Sequence, residues 1–85
     1  YVGAICAAPT VLGNLGLLKG KRVSCYPSVE KEIQGAVMTG ANVTVDGNII
    51  TSRGVGTAID FALKLIEVLS GPEKAAEIAD AIIYY

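Results

Sequence analysis

A single cysteine near the start of the chain has the surroundings of a reactive thiol. Cys6 stands between the apolar run YVGAI and Pro9, a residue that is tolerated in the first turn of a helix. A side chain between the end of a strand and the start of a helix faces unpaired N–H groups, which favour the thiolate form of a cysteine. Such a thiolate could attack an electrophilic carbon. The alternative is that Cys6 is a small buried apolar residue, the usual role of a free cysteine.

The neighbours of Cys6 favour a sharp turn. Ala4, Ala7 and Ala8 are small enough for a strand–turn–helix corner that projects the thiol, as the serine is projected in the nucleophile elbow of hydrolases. The backbone N–H of Ala7 could then help to hold an oxyanion. The second cysteine, Cys25, lies in a predicted strand away from any helix start, so we expect it to be structural, with a resolving thiol as the alternative.

A glycine-rich loop is the second candidate region. Gly54 and Gly56 match the first two glycines of G-x-G-x-x-G, but Ile59 occupies the third position, so the dinucleotide fingerprint is incomplete. Arg53 could still bind an anion at the following helix start, with Thr57 as the helix cap. A plain glycine turn before a capped helix is the favoured alternative.

The absence of histidine and the spacing of the carboxylates argue against several kinds of chemistry. The chain has no histidine and no C-x-x-C pair, so it offers no credible zinc ligands and no Cys–His couple. The carboxylates fall at spacings typical of solvated helix faces; they are Glu30, Glu32, Glu67, Glu73, Glu77 and Asp80. We therefore expect neither a metal nor a cofactor.

Composition narrows the class of protein. With 85 residues, of which 52% are hydrophobic, the chain has few polar residues left to cover its outside. It either buries a large face against another chain or is a piece of a larger domain. Its net charge of -1 comes without basic clusters, which argues against nucleic-acid binding. No apolar run approaches the roughly 20 residues of a membrane span, and two cysteines fit a reducing, cytoplasmic compartment.

The first half of the chain predicts four elements in alternation. A buried strand covers YVGAIC, and a helix starts at Pro9 but stays short because Gly13 and Gly16 weaken it. A second strand covers KRVSCY and ends at Pro27. A helix begins in SVEKEIQG.

The second half predicts a hairpin and two helices. Two β-branched runs flank Asp46-Gly47, the dipeptide that supplies the positive φ angles of a tight hairpin. An amphipathic helix follows in GTAIDFALKLIEVLSG, with Asp60 and Lys64 spaced to pair at i,i+4. Its predicted apolar stripe comprises Ala58, Ala62, Leu65, Ile66 and Leu69. A last helix opens after Gly71. This order predicts α/β layers and the C-terminal part of a larger doubly wound domain.

Two segments resemble a known family. AICAAPTVLGNLGLLKGKRVSCYP and VDGNIITSRGVGTAIDFALKLIEVLSG are similar to the C-terminal half of the ThiJ/PfpI superfamily, in the branch of the parkinsonism-associated protein deglycase and its bacterial ThiJ-like relatives. The motifs A-I-C-A-x-P and T-S-x-G-x-G-T are specific in combination. The resemblance implies a flavodoxin-like (class I glutamine amidotransferase-like) α/β sandwich and a homodimer. Residues 1–85 would then be the C-terminal part of one domain whose N-terminal half this chain lacks.

The resemblance also implies site residues and activities. Cys6 matches the family's easily oxidised nucleophile and Ala7 the residue whose N–H lines the oxyanion hole. Tyr26, Arg53 and Gly54 are possible pocket residues. The implied substrates are 2-oxoaldehydes or glycated groups (deglycase or glyoxalase-type chemistry), without a cofactor and with an acidic residue from the absent half. A non-enzymatic redox sensor, a chaperone-like stress protein and an inactive structural piece are the alternatives.

Two positions depart from the family pattern, and a third, Ala7, distinguishes this branch from the protease-like one. Tyr26 stands where many relatives carry a histidine, so a cysteine–histidine pair is excluded. Val55 replaces a common proline of the glycine loop, which leaves the contribution of that loop to the pocket open. Ala7 stands where the protease-like branch has a histidine, which argues against peptidase chemistry.

Overall fold

Helices and strands alternate along the first half of the chain and then give way to a hairpin and two helices. The computed structural model describes residues 1–85. The elements are β1 (Val2–Ile5), α1 (Pro9–Asn14), β2 (Arg22–Val23), β3 (Val37–Met38), β4 (Val43–Asp46), β5 (Ile49–Ser52), α2 (Ala58–Ser70) and α3 (Pro72–Ala81). Two short 3-10 helices span Pro27–Glu32 and Val55–Thr57.

A three-stranded mixed sheet in the order β1-β5-β4 organises the molecule. β1 runs parallel to β5, with Val2 opposite Ile49 and Ile5 opposite Ser52, whereas β4 is antiparallel to β5. β5 is central, and all four of its residues are buried. Because parallel strands end at the same edge, the residues that follow β1 and β5 are neighbours in space, and these are Cys6 and Arg53.

The predicted hairpin is confirmed, but its turn is shifted by one residue. Gly47 has a φ of 61°, the left-handed value that favours glycine. Asp46 stays in β4, where its carboxylate accepts a hydrogen bond from the backbone N–H of Arg22 at 2.7 Å. The positive φ expected of both residues is supplied by Gly47 alone, because Asp46 pairs with Ile49 as the last residue of β4 and keeps a strand backbone.

The middle of the chain departs most from the sequence prediction. The second strand covers only Arg22–Val23 instead of KRVSCY, and it pairs in parallel with β3, which the sequence analysis missed. The predicted helix in SVEKEIQG is a 3-10 helix, Pro27–Glu32. Ile33 follows it and turns into the core, so packing of this side chain replaces a longer helix.

The core joins the two sheets. Its apolar cluster comprises Leu18, Val23, Cys25, Ile33 and Ile49. Beside this cluster, the backbone N–H of Ser24 donates to Oγ1 of Thr51 at 2.9 Å, and Oγ of Ser24 lies 2.6 Å from Oγ1 of Thr44. β2 forms no backbone ladder with the larger sheet. Buried hydroxyls supply the hydrogen bonds that the polar groups need at this junction.

α2 covers one face of the larger sheet at Gly3. A Cβ on Gly3 would lie 3.2 Å from the ring of Phe61 and 3.6 Å from Leu65, so the helix packs closely over the bare backbone. The predicted apolar stripe is only partly right. Leu65 and Ile66 are half-buried, but Ala58, Ala62 and Leu69 are exposed, because the chain presents nothing for them to pack against.

α3 packs along α2, and the charged residues between them pair differently from the prediction. Lys64 forms an ion pair with Glu67 at 2.5 Å rather than with Asp60. Asp60 instead accepts hydrogen bonds from Asn42 at 3.1 Å and from the hydroxyl of Tyr84. Both hydrogen-bond partners of Asp60 thus come from outside α2, and Lys64 pairs with Glu67 instead.

Much apolar surface remains outside. Only 13 of 85 residues are buried, while large apolar side chains such as Val11, Leu15 and Ile59 are more than half exposed. This agrees with the expectation that the chain packs against further polypeptide. None of the helices has the length and apolar character needed to cross a membrane.

Candidate active site

Cys6 adopts a backbone conformation that is rare for its residue type. Its φ is 64°, in the left-handed region, which costs a residue with a Cβ roughly 1–2 kcal/mol. Its N–H donates to the carbonyl of Ser52 at 3.1 Å, and its own carbonyl accepts the N–H of Tyr26 at 2.8 Å. Bonds on both sides therefore hold the strained residue at the corner between β1 and α1, and its side chain is half-buried.

The turn after Cys6 leaves one backbone donor unused. The N–H of Ala8 donates to Ile5, and Thr10 donates to the carbonyl of Ala7 through its N–H at 3.1 Å and its hydroxyl at 2.7 Å. The N–H of Ala7 donates to no other group of the chain. The sharp strand–turn–helix expected from the alanines is therefore present, with a free amide next to the thiol.

Tyr26 and Gly54 lie side by side next to Cys6. Beyond the backbone bond from Tyr26 to Cys6, the tyrosine ring comes within 3.7 Å of the position that a Cβ on Gly54 would occupy. Gly54 itself is extended, with a φ of 175°, so its backbone does not require glycine. Tyr26 is 48% exposed, so its ring is open to solvent beside Gly54.

Hydroxyl groups fix the loop that carries Arg53. Oγ1 of Thr57 accepts the N–H of Arg53 at 3.2 Å and that of Gly54 at 3.1 Å, and it lies 2.6 Å from Oγ of Ser52. Ser52 donates in turn to the carbonyl of Asn42. Thr57 occupies the N-cap position of α2 as predicted, but its hydroxyl tightens the glycine loop and makes no capping bond to the helix. In the sequence, this loop geometry is indicated by the two hydroxyl residues Ser52 and Thr57 of the motif T-S-x-G-x-G-T.

Cys25 lies in a different environment, 1% exposed in the apolar core. Its Sγ is 3.9 Å from Sδ of Met38. Burial, together with the negative charge of Glu30, raises the pKa of the Cys25 thiol, and the positive charge of Arg53 opposes this in part. The thiol form is therefore favoured, as expected of a structural cysteine.

The chain by itself encloses no cavity at Cys6. The one cavity is a groove of about 570 Å³ between α2 and α3, and its lining includes Asp60, Leu63 and Tyr84 but none of the predicted site residues. No group of three or more side chains of the metal-binding types converges anywhere in the chain. The predicted residues Cys6, Ala7, Tyr26 and Gly54 do come together, with Arg53 beside them.

Comparison with known proteins gives this arrangement a family. The family model described as the DJ-1/PfpI family matches residues 1–68. The chain belongs to the DJ-1/PfpI family. Its fold is accordingly the C-terminal portion of a flavodoxin-like α/β domain, as predicted.

Individual family members agree closely. Drosophila melanogaster protein dj-1beta is 45% identical over 84 residues, which cover 96% of this chain and 45% of the relative. The crystal structure of DJ-1beta from that fly has a TM-score of 0.90 at 46% identity, covering 95% of this chain and 45% of that one. An oxidized Toxoplasma gondii DJ-1 structure has a TM-score of 0.88 at 41% identity, with coverage of 95% and 45%.

A relative with a named activity also matches. A Caenorhabditis elegans glutathione-independent glyoxalase is 45% identical over 75 residues, which cover 86% of this chain and 40% of the relative. The chain thus spans less than half the length of the curated relatives it matches.

Proposed function

We propose that residues 1–85 are the C-terminal part of a single DJ-1/PfpI domain that uses Cys6 to act on 2-oxoaldehydes or glycated groups. The N-terminal half of the same domain would complete the site and supply the acidic residue. The reaction needs no cofactor, and it is of the glyoxalase or deglycase type rather than peptidase chemistry. Membership of the family and the named glyoxalase among the relatives support this proposal.

The observation that carries the proposal is the left-handed backbone of Cys6. Strain of this kind in a residue other than glycine persists only where the surroundings enforce it, and it clusters at active sites. The bonds from Cys6 to Ser52 and from Tyr26 to Cys6 enforce it here. A nucleophile on such a corner approaches substrate without obstruction by its own strand.

The geometry supports a simple first step. The Cys6 thiolate adds to the aldehyde carbon, and the carbonyl electron pair moves onto the oxygen as the C–S bond forms. The unused N–H of Ala7 lies on the adjacent residue and would donate to this developing oxyanion. The carboxylate from the N-terminal half would then move the proton of the former aldehyde carbon to the neighbouring ketone carbon, which oxidises the first carbon to a thioester and reduces the second to an alcohol. Water would then cleave the C–S bond, which releases the hydroxy acid and returns the Cys6 thiol.

The test compares the two cysteines in the full-length protein. Wild type should convert methylglyoxal to lactate, and Cys6→Ser should lose that activity, whereas Cys25→Ser should keep most of it. Lactate formation is measured enzymatically, and folding is checked by circular dichroism. Activity retained in Cys6→Ser, with loss only in Cys25→Ser, would overturn the proposal.

A redox sensor is the second candidate. Cys6 is half-buried whereas Cys25 is enclosed, so peroxide can reach only the first thiol without unfolding. The relative from Toxoplasma gondii is described as oxidized, which favours oxidation chemistry in the family. In this case mild peroxide would add two oxygen atoms to the Cys6 peptide, seen by mass spectrometry, in a protein that shows no aldehyde turnover.

We also infer which polypeptides the chain packs against and in which compartment the protein is found. The exposed apolar residues of α1 and α2 would pack against the N-terminal half and against a second subunit in a cytoplasmic homodimer. No nucleic acid or membrane takes part. Native mass spectrometry of the purified protein tests this, because a monomeric 85-residue species that is folded by itself would contradict it.

A further inference from the structure

Next to the proposed nucleophile, a guanidinium group has no partner. Nε of Arg53 is enclosed by protein and has no hydrogen-bond acceptor. The only hydrogen bond from Arg53 to a side chain comes from its backbone N–H, and none of the three ion pairs involves it. Buried polar groups are almost always paired, with protein, water or a bound group, and a guanidinium cannot lose its charge to avoid the cost.

The register of the sheet sets Arg53 beside Cys6. Ile5 and Ser52 are opposite each other in β1 and β5, and the next residue on each strand is Cys6 on one and Arg53 on the other. The N–H of Cys6 bonds to the carbonyl of Ser52, which continues the pairing past the end of β1. Neighbouring strands lie about 5 Å apart, so Cys6 and Arg53 leave the sheet from adjacent positions.

The side chain of Arg53 lies on the Tyr26 side of the sheet. Thr51 faces the chain after β2, because its hydroxyl accepts the N–H of Ser24. Arg53 directly follows β5, and continuing the strand alternation by this one residue puts it on that face. Its positive charge acts to lower the pKa of the Cys25 thiol. Cys25 directly precedes Tyr26, which agrees with this direction.

The charge of Arg53 is not neutralised within the chain. Glu30 also acts on the Cys25 thiol, but it forms no ion pair with Arg53. By contrast Arg22, the other arginine near the sheet, donates to Val45 at 3.2 Å and pairs with Asp46. A half-buried, unpaired guanidinium at the carboxyl edge of a parallel strand pair stands where α/β proteins bind ligands.

We propose that Arg53 forms a carboxylate subsite beside Cys6, so that the protein prefers small carbonyl compounds carrying a carboxylate over neutral ones of the same size. Because Nε is enclosed, the two Nη groups would bind the carboxylate, as parallel N–H donors that match its two oxygens. The inference rests on Cys6 being the reactive thiol of the proposed function, but it does not require turnover.

The test uses two alkylating agents that differ only in charge. Iodoacetate carries a carboxylate and iodoacetamide is its neutral counterpart, and both transfer their carbon to the thiolate with loss of iodide. Rates at Cys6 are followed in the full-length protein by mass spectrometry of the Cys6 peptide. The measured quantity is the iodoacetate-to-iodoacetamide rate ratio, with N-acetylcysteine in the same buffer as the reference, so that differences in thiol reactivity between variants cancel.

Wild type should show a ratio on the order of tenfold above Arg53→Met, as expected for losing one charge-assisted interaction. Arg53→Lys, which keeps the charge but not the planar donors, should fall between them. Arg53→Gln serves if Arg53→Met fails to fold. Arg22→Met removes the same charge from a paired arginine and should leave the ratio unchanged.

Two results separate the possible failures. If iodoacetamide labels Cys6 but Arg53→Met and Arg53→Gln keep the wild-type ratio, the carboxylate subsite is wrong and the proposed function stands; a carboxylate from the N-terminal half that occupies Arg53 would produce this result. If iodoacetamide does not label Cys6 at all in the native protein, both the subsite and the proposed nucleophile are overturned.

Discussion

The two cysteines of this chain lie in regions that differ in backbone conformation and in burial. Cys6 sits at a corner where the backbone is strained and held by bonds from Ser52 and Tyr26, with a half-buried side chain. Cys25 has an enclosed side chain in the apolar core, next to Met38. The same side chain is thus accessible in one region and enclosed by packing in the other, and the difference comes from the position in the fold rather than from the residue type.

The largest expected difference is in chemical reactivity. With native full-length protein and iodoacetamide, Cys6 should be alkylated at least about a hundredfold faster than Cys25, because labelling of an enclosed thiol waits for an opening of the structure. Mass spectrometry of the two cysteine peptides over time measures both rates. In guanidinium chloride the two rates should converge. Equal labelling of both peptides in the native protein would break the comparison.

Replacing each cysteine by aspartate should lower the free energy of unfolding by different amounts in the two regions. Cys25→Asp puts a carboxylate into the core and should lower the free energy of unfolding by about 3 kcal/mol or more. Cys6→Asp should cost much less, because aspartate tolerates the left-handed region and the side chain there is half-buried. Urea unfolding of the two variants measures this, and similar losses would show that Cys6 is packed as tightly as Cys25.

Glycine substitution should give effects of opposite sign. Cys6→Gly relieves the left-handed strain and should raise the free energy of unfolding by about 1 kcal/mol, even though it removes the proposed nucleophile. Cys25→Gly removes a core side chain and should lower it by about 2 kcal/mol. A loss of stability in Cys6→Gly would mean that contacts of the thiol outweigh the strain.

The pH dependence of stability should follow Cys25. Its thiol pKa is raised in the folded state, chiefly by burial, so the folded form favours the neutral thiol. The resulting stabilisation is fully present below the unfolded pKa of about 8.5 and is lost as the pH rises through the folded pKa. Between about pH 8 and 9.5, wild type should therefore lose stability in urea unfolding with a slope that Cys25→Ala lacks. An identical slope in both proteins would contradict this assignment.

The most local effect concerns the loop beside Cys6. Thr57→Val removes the hydroxyl that accepts the N–H groups of Arg53 and Gly54, and should cost about 1–2 kcal/mol in the free energy of unfolding. Because this loop lies against Tyr26, alkylation of Cys6 should change several-fold while that of Cys25 stays the same. Thr10→Val, which removes a hydroxyl bond at the start of α1, is the matched control. A parallel change at both cysteines would indicate general loosening.

Local sequence signals predicted the elements that depend on local interactions. The glycine turn at Gly47, the stop at Gly71 and the short helix from Pro9 follow from backbone preferences of single residues, and all three are present. The missed strand β3 has two residues and exists only through its pairing with β2. The ion pair expected between Lys64 and Asp60 is absent: Asp60 accepts hydrogen bonds from groups distant in sequence, those of Asn42 and Tyr84, and Lys64 pairs with Glu67.

By itself the sequence determined that a cysteine stands between a strand and a proline-started helix, and that hydroxyls bracket a glycine loop. Such patterns depend on neighbours along the chain. Only the tertiary structure decided that Cys6 is left-handed, that Ser52 and Tyr26 hold it there, and that Arg53 lies beside it without a partner. These features arise where two parallel strands end together, and the pairing of residues far apart in sequence is a property of packing that no local pattern contains.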